Sequence, residues 1–116
     1  SIMGSLAAAM ERARLVSSNN TYPADLSSLD IEFADVNGSL VSGNSWNTKN
    51  FKITHTGGAP AVGMVQAVRA GDANSGYTLT RYYLTGKVVC SDGSNGAGIC
   101  ASLGLTTVAA PGGSGD

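Results

Sequence analysis

The sequence predicts an α+β fold, a roll of one N-terminal amphipathic helix packed on a four-stranded antiparallel β-sheet. Three observations carry this. Apolar residues recur at three- and four-residue spacing between Ile2 and Ser18. Residues 51–90 alternate apolar and polar in short runs divided by glycine-rich breaks. Two cysteines, Cys90 and Cys100, bracket a Gly-rich loop near the end.

In the helix, Met3, Leu6, Met10 and Ala13 form the expected packing stripe, with Ile2, Ala9 and Val16 at its edges. Ser1 offers a cap, yet Ile2-Met3-Gly4-Ser5 reads as a helix cut open or an added remnant, because glycine suits a first turn poorly. The expectation is the C-terminal half of a longer helix, residues 1–18, with an apolar segment upstream. Glu11 and Arg14 are spaced to pair on the wet face, worth a few tenths of a kcal/mol. Ser17-Ser18-Asn19-Asn20 ends the helix, since asparagine tolerates the left-handed conformation.

Residues 19–50 read as a connection from helix to sheet. Pro23 suits a first helical position, so a short turn is expected there, with Tyr22, Pro23, Leu26 and Leu29 anchoring the loop to the body. From Asp30 to Asn50 no period is sustained. Asn37-Gly38 and Ser42-Gly43-Asn44 mark turns, Ile31, Phe33 and Trp46 offer anchors, and one short strand or hairpin is expected around Leu40-Val41. Connections this long are usually functional or packed against a partner.

Four strands follow within residues 51–90: Phe51–His55, Val62–Arg69, Tyr77–Leu84 and Lys87–Cys90. The third places Tyr77, Leu79 and Arg81 on one face and Thr78, Thr80 and Tyr82 on the other. Asp72–Gly76 is a turn. Residues 90–105 return to the sheet through Cys100–Leu105, and 106–116 form a linker-like tail.

The 116 residues suit one domain. Charged residues are 13%, about half the usual share, while glycine is abundant at 16. Such a surface fits an extracellular protein or a subunit covered by neighbours. A net charge of −1 gives no steering toward nucleic acid or an anionic membrane. No apolar run approaches the roughly 18–20 residues of a membrane span. An even cysteine count and a flexible loop favour a Cys90–Cys100 disulfide formed in an oxidising compartment, worth about 2.5–3 kcal/mol. Two reduced, buried thiols are the alternative.

Chemistry is thin. His55 is the only histidine and has no evident nucleophile or metal-ligand set, so it reads as a surface or hydrogen-bonded side chain. Asp30 and Glu32 lack surroundings that would tune a carboxyl. Gly57–Gly63 lacks the lysine of a phosphate loop. Lys49, Lys52, Arg69, Arg81 and Lys87 do not make a basic stripe, and Tyr22, Trp46, Phe51, Tyr77, Tyr82 and Tyr83 read mainly as core or groove filler. No catalytic residue, cofactor or metal is expected.

The order of these parts resembles the type IV pilins and their pseudopilin relatives. The likeness rests on the truncated amphipathic helix and the Asn20-Thr21-Tyr22-Pro23 step after it. It continues through Leu26 and Leu29, the antiparallel sheet and the two late cysteines, covering about residues 2–105. It implies a pilin-like roll and a structural subunit that polymerises into a surface filament for adhesion, twitching motility or DNA uptake. The partners implied are other copies of the subunit and an inner-membrane assembly machinery, with no nucleic acid. Membrane contact would come only through an N-methylated, apolar N-terminal helix absent from this sequence. The subunit would be membrane-anchored before assembly and extracellular afterwards. Residues 17–50 and the Cys90–Cys100 region would touch neighbouring subunits. The alternative within the family is a pseudopilin or minor pilin. Major pseudopilins usually carry calcium in a C-terminal loop and lack the disulfide, so the cysteines favour a pilin, and Asp92 with Ser94 and Asn95 makes a poor calcium site. A secreted binding module or inhibitor is the reading outside the family.

Overall fold

The computed structural model of the chain describes residues 2–69, 76–92 and 98–108. Short connections between alternating segments force neighbouring strands to pair. Phe51–Thr56 (β2), Met64–Arg69 (β3), Thr78–Tyr82 (β4) and Val88–Ser91 (β5) therefore form an antiparallel meander. The sheet is larger than the expected four strands. Ser45–Asn47 (β1) adds antiparallel to β2, and Thr106–Thr107 (β6) adds parallel to β5. The result is an open, mixed six-stranded sheet in sequence order. Both additions are too short to show a period. Only Trp46 of β1 is buried, and β6 is two exposed threonines.

The row Trp46–Ile53–Ala67–Leu79–Cys90 crosses five strands on one face. Helix α1, Ile2–Val16, covers it, burying Leu6, Ala7, Ala9 and Met10. Leu6, Ala7 and Met10 join Ile53, Val65, Ala67 and Tyr83 in the main core, with Met3 packed at its margin. Ala13 lies outside that core, half-buried. Ile2 and Val16 are exposed. The strand alternation places Thr78, Thr80 and Tyr82 opposite Leu79 and Arg81, and Thr78, Thr80, Val89 and Ser91 are buried on that second face.

Helix α1 stops where the Ser17 hydroxyl accepts from the amides of Asn19 and Thr21 and Asn20 turns left-handed at φ 55°. The next turn is a 3-10 turn over Leu26–Ser28 and does not begin at Pro23. Asp25 caps it: one carboxylate oxygen accepts from the amides of Ser27 and Gly43. A carboxylate that reaches two orphan amides outweighs the preference of proline for a first turn. Around Leu40, the expected hairpin is a tight loop. Ala34 bridges Leu40, Val41 donates to Phe33, and Asp35 accepts from Asn37 and Ser39 beneath Gly38. Phe33 stacks on Trp46 at 5.5 Å, which pins the loop to β1.

Past β5, residues 99–102 form one helical turn (α2, Ile99–Ser102), so the return to the sheet begins at Thr106 and not at Cys100. Asp92 accepts from the amide of Cys100 and starts that turn. Cys90 and Cys100 are disulfide-bonded and sit with Tyr77 in a second buried cluster closed by Phe51, Ile99 and Leu105. The expected turn at 72–75, Ser94 and Asn95 of the calcium reading, residue 1, and the tail from 109 onward lie outside the described residues.

Candidate interaction surface

The polar step Asn20-Thr21-Tyr22-Pro23 sits at the junction of helix, connection and sheet. Tyr22 exchanges two backbone hydrogen bonds with Gly58, at 2.8 and 2.9 Å, in the β2–β3 connection. Its ring enters the core, where it meets Tyr83 edge-on at 5.1 Å. Its hydroxyl donates to the Glu11 carboxylate. The other oxygen of Glu11 accepts from Arg14 at 2.6 Å, and Arg14 also reaches Asn20 and lies over the Tyr22 ring. Thus the pair visible in the sequence, Glu11 and Arg14, fixes the exit of the helix as well as its surface. Burial pushes the Glu11 carboxyl up, but the hydrogen bonds from Arg14 and Tyr22 outweigh it and hold the group below the usual carboxylate range. Burial and the same carboxylate push the Tyr22 hydroxyl up to about 12.

Glycine makes this approach possible at two places. A Cβ on Gly57 would stand 2.5 Å from the carbonyl oxygen of Pro23, and one on Gly63 would stand 2.4 Å from the Tyr22 ring. Beneath Pro23 lies His55, 1% exposed. One ring nitrogen, Nε2, is 2.6 Å from the Pro23 carbonyl, and Nδ1 is 2.6 Å from the Tyr83 hydroxyl. A carbonyl only accepts, so Nε2 carries the proton and Nδ1 accepts from Tyr83. Burial holds His55 below its ordinary value, against a smaller opposing effect of the Pro23 bond, and pushes the Tyr83 hydroxyl up. Among the described residues the ring's partners are the Pro23 carbonyl and the Tyr83 hydroxyl, and the ring is closed to solvent; its geometry is that of a structural tie.

On the outer side of the same junction, the helix and the connection leave an open groove of about 710 Å³. Ala9, Ala13, Leu15, Val16, Thr21 and Pro23 supply most of its wall. Arg12 and Asp30 close one rim with two hydrogen bonds of 2.7 and 2.8 Å. That bond from Arg12 holds the Asp30 carboxyl low. Leu15 and Val16 are 73% and 87% exposed, an uncommon state for large apolar side chains so close together. The groove is suited to burying apolar surface of another molecule, with one ion pair at its edge for orientation.

The structure brings Tyr22, Pro23, Leu26 and Leu29 together against the body, Leu26 buried and Leu29 half-buried. Of the helix-packing residues, Leu6, Met10 and Met3 face the core and Ala13 faces the groove. Cys90 and Cys100 lie elsewhere, at the far end of the sheet. Sequence reasoning missed the His55–Tyr83 tie. The only available signal was a lone histidine in phase with Ile53 on a strand. Among the described residues there is no group of three or more His, Cys, Asp and Glu that could hold a metal ion, and no helix long and apolar enough to cross a membrane. No protein-family model, no curated protein and no solved structure matches this chain.

Proposed function

We propose that this chain is the globular domain of a type IV pilin, a structural subunit that polymerises into a surface filament. The observation that carries the reading is a helix whose apolar stripe runs past its own sheet. Leu6, Ala7 and Met10 are spent on the sheet; Ala13 and Val16 continue the same stripe and, with Leu15, open into the groove. Such an overhang suits a helix packed between copies. The order of parts supports the same reading: helix, Tyr22-Pro23 step, antiparallel meander and a disulfide-tied C-terminal region. In this reading the helix continues upstream of Ile2 as a hydrophobic segment, membrane-embedded before assembly and packed in the filament core afterwards. No catalytic role is assigned.

Filaments sheared from cells expressing the full-length protein test this. The expected result is a prominent subunit with an N-methylated start, a long apolar segment ahead of Met3, and a mass two hydrogen atoms short of the reduced chain. Scarcity in sheared filaments with the same N-terminus would point to a minor pilin or pseudopilin. Absence from the sheared material with an N-terminus near Ser1 would replace the reading with a free secreted domain.

A further inference from the structure

His55 is buried, both its ring nitrogens are engaged, and its two partners belong to different parts of the chain. Tyr83 follows β4, whereas Pro23 belongs to the connection after the helix. We propose that His55 is the acid-sensitive pin of a latch: its protonation detaches the Tyr22–Pro23 step from the sheet and frees the connecting segment while the β2–β5 meander stays paired.

The tautomer fixes where an added proton goes. With Nε2 donating to Pro23, the added proton must go to Nδ1, which now accepts from Tyr83. The Tyr83 hydroxyl then has to reverse from donor to acceptor, and its hydrogen loses its partner. Tyr83 is itself buried, with the edge of Tyr22 against it. The Pro23 bond strengthens with charge, but one carbonyl does not replace the hydration of a cation.

Among the described residues, no counter-charge meets the ring. From the helix side, Glu11 and Arg14 approach, and they bond to each other and to Tyr22. Across the sheet His55 pairs with Val65, and Val65 with Arg81, so a cation shares the row. The Arg81 Nε is buried without a hydrogen-bond partner, which leaves that region already short of acceptors. On the β1 side, the carbonyl of Asn44 is taken by the His55 amide. An imidazolium here is a buried cation without a counter-charge among the described residues, and the cheapest relief is local opening.

The parts of the structure differ in how firmly they are held. Strands β2 to β5 share continuous ladders. The Tyr22–Pro23 step has the two Tyr22–Gly58 backbone bonds, the His55 bond and the Tyr22 side chain. Opening the step therefore gives up few bonds, and it lets the charged ring reach water.

The test is amide exchange of the intact domain by NMR between about pH 7.5 and about pH 5, corrected for intrinsic exchange, with the His55 ring nitrogens followed in the same samples. The bonds from Arg14 and Tyr22 hold the Glu11 carboxyl below the usual carboxylate range, so its own protonation begins lower than that of His55. The opening constant at Tyr22 and Gly58 is expected to rise about tenfold per pH unit below 6.5, while the β3–β4 ladder amides do not change. His55→Gln keeps a donor and an acceptor without titrating, and should flatten the pH dependence. Loss of protection everywhere at once, constant protection at Tyr22 and Gly58, or a ring that titrates at its ordinary value with the latch closed would each overturn the proposal. If His55→Gln fails to fold, the unsubstituted protein alone still decides among these outcomes.

Discussion

Gly63 lies so close to Tyr22 that a Cβ at position 63 would stand 2.4 Å from one ring carbon and 2.6 Å from the next, with Tyr83 at 3.0 Å on the other side. Two aromatic rings share the space of one missing methyl group. Gly63→Ala must therefore push a ring out of a filled core. The expected loss is about 1–3 kcal/mol, the usual cost of overpacking, read from the urea midpoint at unchanged slope. Gly57→Ala meets backbone at 2.5 Å and should cost at least as much. Tyr22→Ala with Gly63→Ala should cost less than the sum of the two, because the clash has gone.

The Tyr22–Glu11 hydrogen bond gives the fold a limit in alkali. The Tyr22 hydroxyl is raised in the folded state to about 12 from 10.0. Folding therefore holds the proton more tightly than the unfolded chain does, so the contribution is whole below pH 10 and falls away as pH rises toward 12. Glu11 works in the opposite direction. Its folded value lies below 4.5, so its contribution is whole above 4.5 and disappears as pH falls through the folded value. Tyr22→Phe should reduce the alkaline slope, leaving the part that the raised Tyr83 hydroxyl supplies, and cost about 1–2 kcal/mol at neutral pH in denaturant titrations.

Both disulfide cysteines are fully buried. Reductant under native conditions should leave the Cys90–Cys100 bond intact, and reduction should require opening of the C-terminal cluster. Replacing both cysteines by serine should lower stability by about 3 kcal/mol from loop entropy, with a further loss for hydroxyls placed among Tyr77, Leu79 and Leu105. Calorimetry should show the melting temperature falling by about 10 °C or more. A melting temperature within a degree or two of the parent would contradict this.

Val16 is almost wholly exposed, so Val16→Lys should change stability by no more than about 0.5 kcal/mol. In the pilin reading the same change puts a charge into the subunit groove. The expected outcome is an unchanged melting curve with a sharp drop in sheared filament. Normal filament yield from this variant would remove the groove from the assembly interface.

Much of the architecture was legible because periodicity reports burial. The helix stripe through Leu6 and Met10, and the alternation through Ile53 and Leu79, are both wide enough to read. Strand β1 was not legible, since three residues carry one buried side chain, and β6 has none. Asp25 shows why Pro23 misled: the cap is completed by Gly43, a partner 18 residues away that no local window contains. The groove was hidden for a related reason. Ala13 and Val16 fit the same helical spacing as Met10, and only the tilt of helix on sheet decides which of them face inward. His55 was hidden most deeply, because its partners lie 28 and 32 residues away in opposite directions along the chain.

Those separations also dictate an order of events when the chain folds. Strands β2 to β5 pair with their sequence neighbours, so closing each hairpin removes little chain entropy. The Pro23–His55 tie must close a loop of 32 residues and has no surface to land on until β2 and β3 are joined. The meander is thus expected to be the nucleus, with the N-terminal helix and its connection condensing afterwards. Substitutions at Val65 or Leu79 should slow refolding, whereas those at Tyr22 or Glu11 should leave it nearly unchanged and hasten unfolding.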